Sequence, residues 1–149
     1  MSDLVFQGPT NVSLDAKGRW TVPAKHREAL QKICGNELTL TKHPDGCLLL
    51  FPRPAWLAFR TKVMSESGSW YRRVYIGGAQ DVSIDSAERI NVAPELRDAA
   101  GLVKDAQLMG MGAYFELWDL ARYKVYEQNG SQLDRPDDPL GSFTFAYPA

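Results

Sequence analysis

Apolar and polar residues alternate with a period of two in a short stretch near the start of the chain. The apolar positions flank a four-residue segment, Asp-Ala-Lys-Gly, and are Val12, Leu14, Trp20 and Val22. Such alternation is typical of strands that bury one face and expose the other. In the turn, Asp15 can accept hydrogen bonds from nearby N–H groups, and Gly18 can adopt positive φ without cost. The segment SLDAKGRWTV is therefore predicted to form a β-hairpin.

Further helices and strands are predicted after this hairpin. Proline favours the first turn of a helix, so a short helix is predicted over residues 23–30. Two more strands, 37–42 and 47–51, are separated by a His-Pro-Asp-Gly sequence that is typical of a turn. A second helix is predicted from about residue 54, because its apolar residues share one helical face.

The whole pattern occurs twice along the chain. SLDAKGRWTVPAKHREAL, residues 13–30, matches SIDSAERINVAPELRDAA, residues 83–100, at an offset of 70, and the turn Asp and the following Arg are kept in both copies. The same offset aligns Leu38 with Leu108. Repetition in register over this length indicates an internal duplication.

The second copy predicts the same elements as the first. It has a second hairpin, a helix over 94–100 that stops at Gly101, and a last helix over 120–128 that stops at Gly130. A polar stretch of mostly small residues, 65–69, is expected to act as a hinge between the two copies. Residues 70–75 are expected to form another short helical segment.

The two copies are expected to share one core. Each copy alone is too small to hide enough apolar surface, whereas interleaving their strands closes the sheet edges. The expected fold class is α+β, with two tandem β units, residues 1–65 and 66–130, packed as an intramolecular pseudo-dimer with short flanking helices. The acidic, proline-containing tail, 131–149, lacks periodicity, so we expect it to be mobile or to dock only on a partner.

Composition places the chain among ordinary globular proteins, with 149 residues, 44% of them hydrophobic and 23% charged. No apolar run approaches the roughly 20 residues that span a bilayer. The first residues, MSDLVFQGPT, lack a basic region followed by an apolar core, so no secretory signal is expected. We therefore expect a cytoplasmic protein without a membrane partner. The net charge of −1 is uneven, because residues 1–65 carry nine Lys or Arg against five Asp or Glu. Residues 1–65 therefore produce a positive local field that the total charge does not show.

The two cysteines, Cys34 and Cys47, fit a reducing compartment better than a disulfide framework. They form no close pair with each other or with His26 or His43, so no zinc site is expected. No other metal or cofactor is expected. The two histidines are expected at the surface or in turns.

The cations around the two turns are the candidate DNA-binding residues. They are Lys17, Arg19, Lys25 and Arg27 in the first copy, and Arg89 and Arg97 in the second. Arg19 lies on the strand face opposite Trp20, so it is predicted to face solvent. Arginine can bind a guanine edge with two hydrogen bonds, and the major groove admits a two-stranded ribbon. The sequence therefore predicts double-stranded DNA as the partner, with Asp15, Gly18 and Asp85 shaping the turns.

The second copy is expected to bind DNA more weakly than the first. It has Ala87, Glu88 and Glu95 where the first copy has a lysine, a glycine and a second lysine. Glu88 also occupies a turn position that favours positive φ, which is uncommon for a residue other than glycine. We therefore expect the first hairpin to make most of the DNA contacts and the second to serve chiefly as scaffold.

The first repeat, DAKGRWTVPAKHREAL, closely resembles the first half of the MraZ family, whose halves belong to the AbrB/SpoVT-like swapped-hairpin superfamily. Further similar segments are LLLFPRPAW, RRVYIGGAQDVSID, APELRDAAGL and FELWD, so the resemblance reaches from near the start to about Leu120. Glu88 departs from the glycine of the family's DxxGR motif. The resemblance implies two tandem AbrB/SpoVT-like swapped-hairpin units.

The resemblance also implies a function. MraZ-like proteins are transcriptional regulators that bind short direct repeats in the promoter of their own cell-division and cell-wall operon, as ring-like homo-oligomers. Their DxxGR arginines contact DNA, which by position indicates Lys17, Arg19 and Arg89. The wider superfamily also uses the arginine of the short helix, here Arg27 and Arg97. A nucleoid-associated protein with no small-molecule substrate is expected.

Two other classes of protein share single features with this sequence. An enzyme with an Asp15–Asp85 dyad resembling aspartic proteases is disfavoured, because each Asp has an Arg nearby that would hold it ionised. An antitoxin-like interaction module remains open as an alternative. In that case the acidic tail, with Asp134, Asp137 and Asp138, would bind the partner.

Overall fold

The computed structural model describes residues 4–130 and 135–148. The elements of the first half are β1 (Phe6–Ser13), β2 (Arg19–Thr21), α1 (Ala24–Cys34), β3 (Glu37–Lys42), β4 (Leu48–Pro52) and α2 (Arg53–Glu66). Those of the second half are α3 (Ser69–Tyr71), a π-helical turn (Arg72–Ile76), β5 (Gln80–Ser83), β6 (Arg89–Asn91), α4 (Pro94–Ala100), β7 (Asp105–Gly112), β8 (Phe115–Asp119), α5 (Leu120–Asn129) and a 3-10 turn (Pro139–Ser142). Within these ranges, no helix combines the length and the apolar character that crossing a bilayer requires.

The duplication is visible in the strand order of the main sheet. Six antiparallel strands follow the order β1-β7-β8-β4-β3-β5. Exchanging β1 with β5, β3 with β7 and β4 with β8 only reverses this order, so the two halves are related by a pseudo-twofold axis between β4 and β8. The predicted α+β fold, with two interleaved units packed as a pseudo-dimer, is confirmed.

The strands that flank each turn pair across the halves. The N–H of Asp15 donates to the carbonyl of Arg19, which closes the first turn. Beyond the turn, however, β1 pairs with β7, and β2 pairs with β6 in a separate two-stranded ribbon. The predicted hairpin therefore forms only at its turn. Exchange between halves is favourable because it places Trp20 opposite Ile90, and both side chains are almost fully buried. A three-residue strand without this partner could not bury its apolar side chain to the same extent.

The helices that follow the two ribbon strands differ in length. The first, α1, continues four residues beyond its predicted end, because partly buried Ala29 and Ile33 extend its apolar face. The second, α4, spans 94–100 as predicted. Each helix ends in a left-handed glycine, Gly35 with φ 58° and Gly101 with φ 64°.

The sheet register corrects one part of the repeat alignment. Leu38 pairs with Val82, and the equivalent pair in the other half joins Ala106 to Val12. Leu38 therefore corresponds to Ala106, and the predicted match with Leu108 is wrong by two residues. The error arises because the helix and loop before β7 are shorter than those before β3.

The core lies at the centre of the main sheet. Every residue of β4 is buried. The predicted inner face of α2 is confirmed, since Trp56, Phe59 and Val63 pack onto this sheet with at most 3% exposure. The predicted short helical segment after the hinge also forms, and it buries Tyr71 and Tyr75.

The C-terminal segment 135–148 docks on the body of the protein, so the expectation of a mobile or partner-docked tail is wrong for these residues. Leu140 and Tyr147 are buried. The hydroxyl of Tyr75 donates to the carboxylate of Asp138 at 2.9 Å, and the hydroxyl of Tyr71 lies 3.3 Å from Asp137. Asp134 lies outside the described residues.

The expectation that both histidines lie at the surface or in turns is wrong for His26 and confirmed for His43, which lies in the predicted turn. His26 is 6% exposed, and its ring packs edge-on against Phe6 and Phe115. The burial lowers the pKa of His26. His43 lies in the predicted turn, but its side chain is enclosed, with Nε2 at 3.6 Å from a carboxylate oxygen of Asp138.

Candidate nucleic-acid interface

The β2–β6 ribbon has one buried and one outward face. Its register pairs Arg19 with Asn91, Trp20 with Ile90, and Thr21 with Arg89. The central pair points inward, with 1% and 0% exposure. Because side chains alternate along a strand, the other two pairs share the outer face. This face therefore presents one arginine from each copy, in diagonal positions about the pseudo-twofold axis.

The first turn holds Arg19 in one orientation. One carboxylate oxygen of Asp15 accepts the backbone N–H groups of Lys17 and Arg19, each at 2.9 Å. The other oxygen accepts Nε of Arg19 at 2.8 Å. The N–H bond from Arg19, together with these other donors, lowers the pKa of Asp15 to about 2. The predicted turn roles of Asp15 and Gly18, which has φ 84°, agree with this geometry.

The second turn repeats this arrangement. Asp85 accepts the N–H groups of Ala87 and Arg89 at 2.9 and 2.8 Å, and Nε of Arg89 at 3.2 Å. The N–H bond from Arg89 leads the contacts that lower the pKa of Asp85. Glu88 has φ 63°, so the expected left-handed conformation of this residue is confirmed.

The two lowered pKa values argue against a catalytic dyad. A pair of aspartates that shares a proton needs one carboxyl group with a raised pKa. Both carboxyl groups are instead held ionised by their own arginines. Among residues 4–130 and 135–148, no group of three or more His, Cys, Asp or Glu is arranged to hold a metal ion.

Each turn contacts the helix that follows the other copy's strand. The N–H of Val92 donates to the carbonyl of Gly18, and the N–H of Val22 donates to the carbonyl of Glu88, both at 2.8 Å. Arg97 lies beside the first turn, since a Cβ at Gly18 would come within 2.6 Å of its Nε. In the same way, Nε of Arg27 lies 4.0 Å from the carboxylate of Glu88.

This exchange divides the predicted DNA-binding residues between the two ends of the ribbon. The first end combines the first turn, including Lys17 and Arg19, with the start of α4 and Arg97. The second end combines the second turn, including Arg89, with the start of α1, where Lys25 is exposed. The cations of the first copy lie close together in the sequence, but in the structure they do not form one patch.

Exchange also evens the charge of the two ends. The first end holds the acids Asp15, Glu95 and Asp98 and the cations Lys17, Arg19 and Arg97. The second end holds the acids Asp85, Glu88 and Glu28 and the cations Arg89, Lys25 and Arg27. Net charge therefore gives no reason to favour the first end of the ribbon over the second, and the greater share of DNA contacts expected of the first hairpin stays a prediction that rests on Lys17, whose counterpart is Ala87.

Arg27 and Arg97 have a structural contact as well. Their Nε groups donate to the carbonyls of Val22 and Val92, at 2.9 and 3.0 Å. Each arginine thereby fixes the junction between its ribbon strand and its helix. Both side chains are partly exposed.

Sequence reasoning missed two residues of the outer face, Thr21 and Asn91. Both are exposed and lie directly opposite the arginines. The period-two pattern identifies their face, but their position opposite an arginine depends on the exchange between copies. Neither side chain is charged, so the distribution of cations along the sequence does not point to them.

Comparison with known proteins identifies relatives of the whole chain. The family model described as "MraZ protein, putative antitoxin-like" matches residues 5–70 and 75–140, one match to each half. A protein of Methylibium petroleiphilum named "Transcriptional regulator MraZ" is 52% identical over 148 residues, covering 97% of this chain and 100% of the relative. A protein with the same name from Acidovorax sp. is 53% identical, covering 89% of this chain and 95% of the relative. Another, from Burkholderia cenocepacia, is also 53% identical and covers 95% of this chain and 100% of the relative.

The fold and these relatives together define the class of protein as a transcriptional regulator built from two tandem swapped-hairpin units. It is not an enzyme, as the sequence predicted. The chain belongs to the MraZ family.

Proposed function

We propose that this transcriptional regulator binds double-stranded DNA with the outer face of the β2–β6 ribbon and the two adjoining turns. One observation carries the proposal. Arg19 and Arg89 lie on that face, each clamped through Nε by the aspartate four residues before it. A clamped arginine loses less conformational entropy when it binds, because its orientation is fixed in advance.

The ribbon has the dimensions and chemistry for a major groove. The groove admits a two-stranded β-ribbon, and an arginine can bind both acceptors of a guanine edge. The neighbouring cations Lys17, Lys25, Arg27 and Arg97 supply contacts to phosphates. The buried Trp20–Ile90 pair supports the outer face from below, so the arginines are carried by a rigid element.

A single ribbon offers few contacts, so useful affinity requires several copies acting together. About four to six phosphate contacts would give modest, strongly salt-dependent binding. A ring-like homo-oligomer that presents several ribbons to several DNA repeats would raise the effective affinity through avidity. We therefore propose that the target consists of short direct repeats in the promoter of the protein's own cell-division and cell-wall operon.

The remaining predictions follow from this function. The protein would be cytoplasmic and nucleoid-associated, with DNA and further copies of itself as partners. The division into units 1–65 and 66–130 with a tail at 131–149 is retained as a proposal. The alternative of a tail that captures a protein partner loses support, because Asp137 and Asp138 are engaged within the chain.

Binding to the protein's own upstream DNA tests the proposal. Purified full-length protein is titrated onto intact DNA and onto DNA with the repeats scrambled, at several salt concentrations. We expect intact DNA to bind more tightly, with affinity falling steeply as salt rises. Equal affinity for intact and scrambled DNA at every salt concentration would overturn the proposal.

A further inference from the structure

We infer that Thr21 and Asn91 make the two halves of the ribbon's outer face recognise different bases, so that the preferred DNA element has a direction. The inference rests on the proposed DNA-binding function and assigns specificity to two uncharged residues of the same face. It starts from the observation that the outer face is symmetric in its arginines and asymmetric in the residues opposite them.

The register fixes which residue accompanies each arginine. Asn91 lies opposite Arg19, and Thr21 lies opposite Arg89. Side chains that face each other across antiparallel strands have Cβ atoms about 5 Å apart. Each pair can therefore reach the same or adjacent base pairs. The first half-face is an Arg–Asn pair and the second is an Arg–Thr pair.

The arginines of both half-faces are oriented by the same contact with an aspartate. In each, Nε is bound to an aspartate, at 2.8 Å for Arg19 and 3.2 Å for Arg89. Within the described part of the chain, the two Nη groups of each arginine make no hydrogen bond. These groups remain for the two acceptors of a guanine edge. The arginines thus set the same preference in both half-faces.

The opposing residues provide the difference. Both are exposed, and among residues 4–130 and 135–148 neither side chain forms a hydrogen bond. An asparagine amide can bind both N6 and N7 of adenine, whereas a threonine offers one hydroxyl and a methyl group that contacts the methyl of thymine. The Arg–Asn half-face therefore selects a guanine next to an adenine, and the Arg–Thr half-face does not.

Within the outer face of the ribbon, the alignment of the repeats shows that this asymmetry is a departure from twofold symmetry at one position. Arg19 and Arg89 occupy equivalent positions, as do Thr21 and Asn91, at the offset of 70 residues. A face with identical halves would favour a palindromic element. A face with unlike halves favours an element that reads in one direction, which suits repeats arranged head to tail.

Two exchange variants test the inference. Asn91→Thr gives two Arg–Thr halves, and Thr21→Asn gives two Arg–Asn halves, while all arginines and aspartates stay. Wild-type protein and both variants are used to select binding sites from a library of randomised duplex DNA. Arg60→Ala, which removes an exposed cation on α2, is the matched control. Circular dichroism and thermal unfolding establish that each variant is folded.

We expect the wild type and Arg60→Ala to select the same directional element. Asn91→Thr should lose preference at the adenine position by about tenfold. Thr21→Asn should gain a second adenine preference and select a more palindromic element. If both variants select the wild-type element in the wild-type orientation, or lose affinity equally for all sequences, the inference is wrong while the proposed function stands. If the wild type selects no element, the proposed function fails as well.

Discussion

At the scale of single residues, the two turn aspartates determine what the arginines beside them can do. Asp15 and Asp85 each accept two backbone N–H groups and one guanidinium Nε. A carboxylate that accepts several donors is stabilised in its ionised form, and it holds the turn and the arginine together.

Protonation of Asp15 is expected to release this clamp. The pKa of Asp15 is lowered from 3.8 to about 2, so its stabilising contribution is complete above pH 3.8 and is lost as the pH falls toward 2. Denaturant unfolding of the wild type and Asp15→Asn checks this. The wild type should be more stable above pH 3.8, and the difference should shrink as the pH falls. A difference that grows on acidification would contradict the assignment.

Gly18 and Glu88 occupy equivalent left-handed positions and should respond in opposite directions to substitution. Gly18→Ala should destabilise the protein by at least about 1–2 kcal/mol, because a left-handed alanine is strained. The new Cβ would also lie 2.6 Å from the carbonyl oxygen of Val92. Glu88→Gly should stabilise it by up to about 1 kcal/mol, because the same strain is relieved at some cost in chain entropy. Thermal unfolding measures both changes, and a stabilising Gly18→Ala would count against the turn geometry.

At the scale of elements, the ribbon depends on the exchange of strands between copies. Each of its strands has three residues, and a pair of such strands has little intrinsic stability. Burial of Trp20 and Ile90 beneath the outer face compensates for this. The presentation of Arg19 and Arg89 is therefore a property of the two copies together and of neither alone.

Substitution of Trp20 should separate the effect of volume from the effect of its polar atom. Nε1 of Trp20 is buried without a hydrogen-bond partner in the described structure. Trp20→Ala should cost about 3–5 kcal/mol through the cavity it leaves. Trp20→Phe should cost much less, because it keeps most of the ring volume and removes the unpaired N–H. Equal losses in urea unfolding for the two variants would contradict this packing.

Period-two alternation and turn chemistry were sufficient to predict the outward face of Arg19, the role of Asp15 and the α+β duplication. The pairing partner of β2 could not be predicted, because alternation identifies the face of a strand and not its neighbour. For the same reason the sequence could not show that the two ends of the ribbon carry equal numbers of acidic and basic residues. The docking of Leu140 and Tyr147 was missed because isolated apolar residues in an irregular segment give no periodic signal.

At the scale of the whole molecule, the C-terminal segment 135–148 packs against the side of the protein that carries α2. The carboxylate of Asp138 accepts the hydroxyl of Tyr75 and lies near His43. Burial acts to raise the pKa of Asp138, but the nearby imidazole of His43 and the hydrogen bonds from the Leu140 N–H and the Tyr75 hydroxyl outweigh it and lower the pKa. Phe143 packs edge-on against Phe59, so the segment adds to the core through both polar and apolar contacts.

Removal of one hydroxyl should measure the strength of this docking. Tyr75→Phe leaves the buried carboxylate of Asp138 without one donor and should lower the free energy of unfolding by about 1–3 kcal/mol. Tyr123→Phe removes an exposed hydroxyl that bonds Glu127, and it should have little effect. Chemical denaturation near neutral pH compares the two. A segment that is only loosely attached would give equal, small changes in both variants.

The paired arginines of the ribbon, Arg19 and Arg89, are the residues on which the proposed DNA binding depends most. Fluorescence anisotropy with labelled DNA from the protein's own promoter tests this dependence directly, using the wild type, Arg19→Ala, Arg89→Ala and the control Arg60→Ala. Both ribbon variants should weaken binding by about tenfold or more, since a bidentate arginine–guanine contact is lost, whereas the control should bind like the wild type. Affinities for Arg19→Ala and Arg89→Ala that match the control would contradict this dependence.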